Sequence, residues 1–238
     1  MIYLYSGTPG SGKSLHAAKT IVEWAKRGKG VICNFPVSLA HVKRVKKHPV
    51  YMDNSEITVD SLTNFAKKNH LKGKESQTLV VIDEAQVMFN SRTSLSKQRQ
   101  QWCTFFSQHR HYGFDFILIA QFDRMLDRQI RCLIETEIKH RKLNNYGFGG
   151  TLLQLMTLNK SWFICIEYWY GGNKLKLGSE IFGYKKAYGK VYDTFAIFEE
   201  GQQLQSDKFE NGALKLDQTK KELYQVPEYL YIWRPHIF

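Results

Sequence analysis

With 238 residues, 43% hydrophobic and 14% aromatic, the sequence excludes a disordered polymer and is long enough for one α/β domain with a modest extension. Thirty-four Lys and Arg against 22 Asp and Glu give a net charge of +12, which suits a phosphate-bearing partner such as nucleic acid or an anionic membrane surface. No stretch reaches the roughly 20 apolar residues of a spanning helix; residues 162–170 come nearest but are too few and include Glu167. Met1 to Tyr5 lack the basic flank and cleavage site of a signal peptide. Cys33, Cys103, Cys132 and Cys165 are scattered without metal-ligand spacing and read as cytosolic thiols in or beside the core.

Residues 2–5 form a short buried strand that runs into a glycine-rich turn. From Lys13 to about Arg27, Leu15, Ala18, Ile21, Val22 and Ala25 recur at helical spacing, and Gly28 and Gly30 stop the helix. Residues 31–33 make a second strand, which the chain leaves at Asn34-Phe35-Pro36. Residues 41–76 are a basic excursion containing Lys43, Arg44, Lys46 and Lys47, with a short strand at 50–52 and a helix at 61–68. The apolar run 78–82 suits a central parallel strand. A polar helix over 94–110 has Leu95, Trp102, Phe105 and Phe106 as its apolar face; Gly113 ends it, and 114–120 return as a buried strand.

Crossovers of this length predict an α/β fold with a mostly parallel doubly wound sheet. Beyond Arg128, Ile134, Thr136, Ile138 and His140 alternate with charged residues, and 162–170 are rich in strand formers. Both stretches are expected as antiparallel β additions after the core, at one edge of the sheet, or as a β-rich flank, around a turn region at Gly147, Gly149 and Gly150. Residues 1–200 are read as the ATPase domain and 201–238 as a C-terminal extension, a loosely ordered tail whose aromatic end docks on something.

Gly7-Thr8-Pro9-Gly10-Ser11-Gly12-Lys13-Ser14 fits the G-x-x-x-x-G-K-[ST] phosphate loop, with the strand before it and helix after it that the mechanism demands. Glycines let the loop wrap so that its N–H groups, with the helix N-terminus, face the β-phosphate of a nucleotide. Lys13 reaches the β- and γ-phosphates, Ser14 ligates Mg²⁺, and Leu15 completes the binding run. Asp83-Glu84 closes the strand at 78–82 in a Walker B arrangement, with Asp83 on Mg²⁺ and Glu84 placed to orient or deprotonate an attacking water. The glutamate favours hydrolysis of ATP over transfer to a small acceptor. Gln121, at the end of the strand at 114–120, is a candidate γ-phosphate sensor. Arg110, Arg128 and Arg131 are candidates for an arginine finger offered to a neighbouring subunit's nucleotide.

These motifs, together with His109-Arg110-His111-Tyr112-Gly113 ahead of the strand that ends in Ala120-Gln121, and Val191-Tyr192-Asp193-Thr194 further on, resemble the zonula occludens toxin-like (Zot) family, which includes the gene I assembly proteins of filamentous phages. The resemblance covers roughly residues 1–197. It implies an ATPase in the host cytoplasm, at the cytoplasmic face of the inner membrane, that powers extrusion of phage DNA and assembly of coat protein around it. A more distant similarity to DNA-pumping ATPases of the FtsK and HerA type implies a ring-shaped homo-oligomer. Family members continue into a membrane-spanning helix and a periplasmic segment; the sequence stops at Phe238 without either, so it is expected to be the soluble portion of a longer protein or to rely on a partner for anchoring, and the toxin activity of the family name is not carried over. Two other functions fit the same residues: a cytosolic DNA translocase or packaging ATPase, and a non-catalytic scaffold in which nucleotide controls assembly.

Overall fold

The apolar runs of the sequence become strands of one eight-stranded sheet. A computed structural model describes residues 1–90, 96–143, 161–171 and 174–192, all within one compact unit, Met1–Ala196. In chain order the elements are β1 (Ile2–Ser6), α1 (Lys13–Lys26), β2 (Gly30–Cys33), β3 (Val50–Tyr51), α2 (Val59–Asn69), β4 (Thr78–Ile82), α3 (Ser96–Gln108), β5 (Phe114–Ile119), α4 (Arg128–Arg131), β6 (Thr136–Lys142), β7 (Trp162–Trp169), β8 (Leu175–Gly183) and α5 (Lys186–Gly189).

The strands lie in the order β3-β2-β4-β5-β1-β6-β7-β8. From β3 to β6 every neighbouring pair is parallel, so the C-terminal ends of β1, β4 and β5 share one rim of the sheet. The P-loop strand β1 does not pair with β4; β5 lies between them. Side chains of the central strands alternate between two cores, as the period of two requires. Leu4, Val80, Ile82, Phe116 and Leu118 meet α2, α3 and α4 through Leu62, Trp102, Phe106 and Ile130. Tyr5, Leu79, Val81, Ile117 and Ile119 meet α1 through Ala17 and Ile21 on the other face. This is the doubly wound arrangement expected from the crossovers.

One expectation is corrected. The 134–140 stretch is not an antiparallel addition: β6 pairs parallel with β1, from Tyr3↔Thr136 to Ser6↔Lys139. Antiparallel pairing begins with β7 and continues in β8. Alternation of apolar and polar residues reports which face is buried and carries no information on pairing direction. β8 itself has no counterpart among the expected elements: its alternating Leu175, Leu177 and Ile181 are all exposed on an edge strand, between Lys176, Gly178 and Glu180. The expectations for Leu95, for Gly147, Gly149 and Gly150, and for the 201–238 tail lie outside the described residues. Among the described residues no helix is long and apolar enough to cross a membrane.

Candidate nucleotide-binding site

The loop between β1 and α1 owes its shape to glycine. Gly7, Gly10 and Gly12 have φ of 143°, 72° and 94°, values that side chains rarely tolerate. Space is a second constraint. A Cβ on Gly7 would lie 2.4 Å from the His140 carbonyl oxygen, and one on Gly12 would lie 2.7 Å from the Phe163 ring. Gly12 caps α1 without a side-chain hydrogen bond, so the first-turn amides remain available to an anion at the positive end of the helix. The Ser11 hydroxyl is buried without a partner, and Lys13 folds back so that Nζ donates to the carbonyl oxygens of Gly7 (2.7 Å) and Thr8 (3.1 Å). Burial lowers the Lys13 pKa, while the fields of Asp83 and Glu84 oppose that shift. Those carboxylates therefore face the same space as the ammonium.

Asp83 follows directly from β4 and is fixed at every polar group. Its N–H donates to Asn34 Oδ1 (2.7 Å), its carbonyl accepts from Asn34 Nδ2 (2.9 Å), and Oδ1 accepts from the Glu84 N–H (2.8 Å). Asn34, the first residue after β2, thus ties the ends of two adjacent strands together. Oδ2 accepts from the Tyr192 hydroxyl. Burial is the main cause of the raised Tyr192 pKa, and Asp83 adds to it. The phenol is bonded to Asp83 and lines the same cleft as Ser14, so it lies beside both expected metal ligands. Glu84 is exposed, has φ of 48° and accepts from Gln86 Nε2; a non-glycine residue held in the left-handed region is a form of strain that clusters at functional sites.

Gln121 is brought to the loop by the sheet. The β1–β5 pairing continues past both strands, with Ala120 N donating to Tyr5 O (3.0 Å) and Gly7 N to Gln121 O (3.1 Å). The three arginines are not brought to it. Arg110 precedes β5, sits at the opposite rim and pairs with Glu135, which also accepts from the Ile2 N–H. Arg128 and Arg131 form the two ends of α4, and neither lines a cleft at the loop.

Two clefts flank the loop. One, of about 320 Å³, joins residues 10–15 to Phe163, Tyr184, Tyr188 and Tyr192. The other, of about 220 Å³, joins Gly7, Thr8 and Gln121 to Lys139, Arg141 and Lys174. A further cleft of about 360 Å³ beside Met88, Phe89 and Trp102 contains none of the expected site residues. Tyr192, Tyr188, Lys139 and Arg141 were not singled out from the sequence. Tyr192 lies in the Val191–Thr194 motif but had no chemical reason attached to it.

The residues fit a nucleotide with Mg²⁺. The loop is a cradle that a Cβ would fill, the Ser11 hydroxyl lacks a protein partner, and Ser14 and Asp83, on either side of the Tyr192 cleft, offer the oxygen donors Mg²⁺ requires. A mostly parallel sheet with a glycine-rich loop after one strand and an acidic pair at the end of another defines the P-loop NTPase fold.

Comparison with known proteins agrees. The family described as Zonular occludens toxin (Zot) matches residues 1–191, and the chain belongs to that family. It is 27% identical over 215 residues to the Gene 1 protein of Enterobacteria phage I2-2, covering 85% of this chain and 59% of that protein. It is 29% identical over 166 residues to the Gene 1 protein of Enterobacteria phage M13, covering 67% of this chain and 48% of that protein. The chain therefore spans about half to three fifths of the length of these relatives. Its fold is similar to the N-terminal domain of zonular occludens toxin from Neisseria meningitidis, with a TM-score of 0.52, 21% identity and coverage of 81% of this chain and 98% of that one. It is also similar to a DnaB-like replicative helicase, with a TM-score of 0.52, 12% identity and coverage of 79% and 57%.

Proposed function

We propose that the chain binds ATP with Mg²⁺ at residues 7–14 and hydrolyses it as the motor of filamentous phage assembly and DNA export at the inner membrane. The observation that carries the reading is the gathering of Lys13, Ser14, Asp83, Glu84 and Gln121 at one rim of the sheet. Membership in the Zot family and likeness to the Gene 1 proteins of filamentous phages support the biological setting.

In this reading the loop amides and Lys13 hold the phosphates, and Ser14 and Asp83 would hold Mg²⁺, which would supply charge neutralisation for them. The Tyr192 hydroxyl, bonded to Asp83 Oδ2, would compete with the ion for that oxygen. Glu84, beyond the fixed backbone of Asp83, orients or deprotonates the attacking water. Gln121, anchored to Gly7 through its carbonyl, reports the γ-phosphate to β5. A neighbouring subunit of a homo-oligomer supplies the finger; Arg128 and Arg131 are the better placed candidates, since Arg110 is already paired with Glu135. The net charge of +12 suits the DNA that the motor moves.

The test is phosphate release by wild type and a Lys13→Ala variant, in the presence of single-stranded DNA and membranes carrying the phage assembly partners. Faster release by wild type is expected. Equal rates would remove the motor reading, and DNA-stimulated release that ignores the membranes would replace it with a cytosolic translocase.

A further inference from the structure

Beneath the phosphate loop, three buried side chains from three elements converge. His16 comes from the first turn of α1, His140 from β6 and Cys165 from β7. Their ligand-capable atoms all lie within 4.8 Å of one another. His16 Nδ1 is 2.9 Å from His140 Nε2, and Cys165 Sγ is 3.4 Å from the same His16 nitrogen. We propose that these residues form a binding site for a thiolate-preferring transition-metal ion, with Zn²⁺ as the ligand to test first.

Orientation is the first reason. His140 Nδ1 lies 3.2 Å from the Ser6 carbonyl oxygen, which can only accept. The proton is therefore on Nδ1, and the Nε2 lone pair points at the other two residues. An outward N–H held by a carbonyl is how metal-bound imidazoles are oriented and their tautomer fixed. Spacing is the second. Zn–N of about 2.0–2.1 Å and Zn–S of about 2.3 Å at tetrahedral angles place two nitrogens roughly 3.3 Å apart and nitrogen and sulfur roughly 3.5 Å apart. The pairs at 2.9 and 3.4 Å need to open by only a few tenths of an ångström, and the third pair, His140 Nε2 with Cys165 Sγ, lies within 4.8 Å and has to close toward roughly 3.5 Å.

The competing account is an ordinary hydrogen-bonded cluster, in which His16 Nδ1–H donates to His140 Nε2 and Tyr5 stacks on His16 with ring centroids 4.8 Å apart. That arrangement uses both His140 nitrogens but leaves the Cys165 S–H without an acceptor among the described residues, because His16 Nδ1 already carries a proton. A metal ion uses all three atoms. On binding, the Cys165 thiol loses its proton to solvent as the S–metal bond forms, and the His16 proton moves to Nε2, so both imidazoles stay neutral. Burial keeps both imidazoles neutral, holding His16 at about 4 and His140 at about 3, while it pushes the Cys165 thiol up to about 12, so the ion itself has to displace that proton. A fourth position is left to water or to Glu180, which is opposite Cys165 in the β7–β8 ladder and bonded to Lys19 at 2.6 Å. The ion would join the phosphate-loop helix to β6 and β7, stapling the antiparallel flank to the parallel core.

The test uses the purified, tag-free chain and does not depend on nucleotide. Zn²⁺ loading followed by gel filtration and elemental analysis should give about one ion per chain, as expected for a single three-residue site, and Co²⁺ should give thiolate-to-cobalt charge-transfer absorption with tetrahedral visible bands. The signal should persist in Cys132→Ser, which removes an exposed thiol. It should disappear in Cys165→Ser and in His140→Gln, each checked for folding by circular dichroism. Should either variant fail to fold, the wild-type spectrum and a Zn²⁺-dependent rise in wild-type Tm decide the matter. No charge-transfer band in wild type, or full binding by folded Cys165→Ser, would overturn the site.

Discussion

Every residue of β4 and β5 is buried, whereas β8 is exposed along most of its length, with Leu177 and Ile181 both more than half accessible. The parallel strands supply the backbone that fixes the chemistry: β1 leads into the loop, β4 into Asp83, β5 into Gln121. The antiparallel flank and the segment after it supply surroundings instead, with Phe163 against Gly12 and Tyr184, Tyr188 and Tyr192 along the neighbouring cleft. In the proposed reading one part of the sheet determines where phosphates go, while the other shapes how the loop is enclosed. A residue's worth should depend on which part it belongs to.

The largest effect belongs to the parallel rim. Glu84→Gln is expected to lower turnover by about 10²–10⁴-fold, the range for loss of a general base, with ATP affinity unchanged in an equilibrium titration. Unchanged turnover would remove Glu84 from the chemistry. Next comes packing. Phe116→Ala, in the core between β5 and α3, should cost about 3–5 kcal/mol of unfolding free energy, whereas Ile181→Ala on the exposed flank should stay within about 0.5 kcal/mol. Equal losses in urea titrations would break the division between core and flank.

Much of the core could be read from the sequence because its signals are local. A β-branched run such as Thr78–Ile82 specifies a buried strand, and the loop motif specifies what must precede and follow it. The rest depends on contacts distant in sequence. Tyr192 reaches Asp83 across 109 residues, and His16, His140 and Cys165 have no motif spacing because three separate elements bring them together. β6 was legible as a strand but not as parallel. Arg110 shows a signal that could have been used. It precedes β5, and six residues at about 3.3 Å each put it roughly 20 Å from Gln121, on the other rim.

The remaining predictions concern the contact between the two parts. Gly12→Ala combines a φ of 94° with a Cβ 2.7 Å from Phe163, so it should lower both stability and nucleotide affinity, by about 1–3 kcal/mol for the strained backbone alone. Adding Phe163→Ala should restore part of the loss by removing the clash. No restoration would mean that the flank does not press on the loop. The smallest effect is expected from Tyr192→Phe, which keeps the ring against Phe35 and removes the hydroxyl bonded to Asp83. The Mg²⁺ concentration for half-maximal ATP binding should fall a few-fold, and an unchanged value would place the phenol outside the ion's site.

The central claim is that residues 7–14 bind a nucleoside triphosphate. Calorimetric titration of the purified chain with a non-hydrolysable ATP analogue and Mg²⁺ tests it most directly. Saturable binding by wild type and by Glu84→Gln, lost in Lys13→Ala and weakened when Mg²⁺ is withheld, is the predicted result. Equal binding by Lys13→Ala and wild type would contradict it.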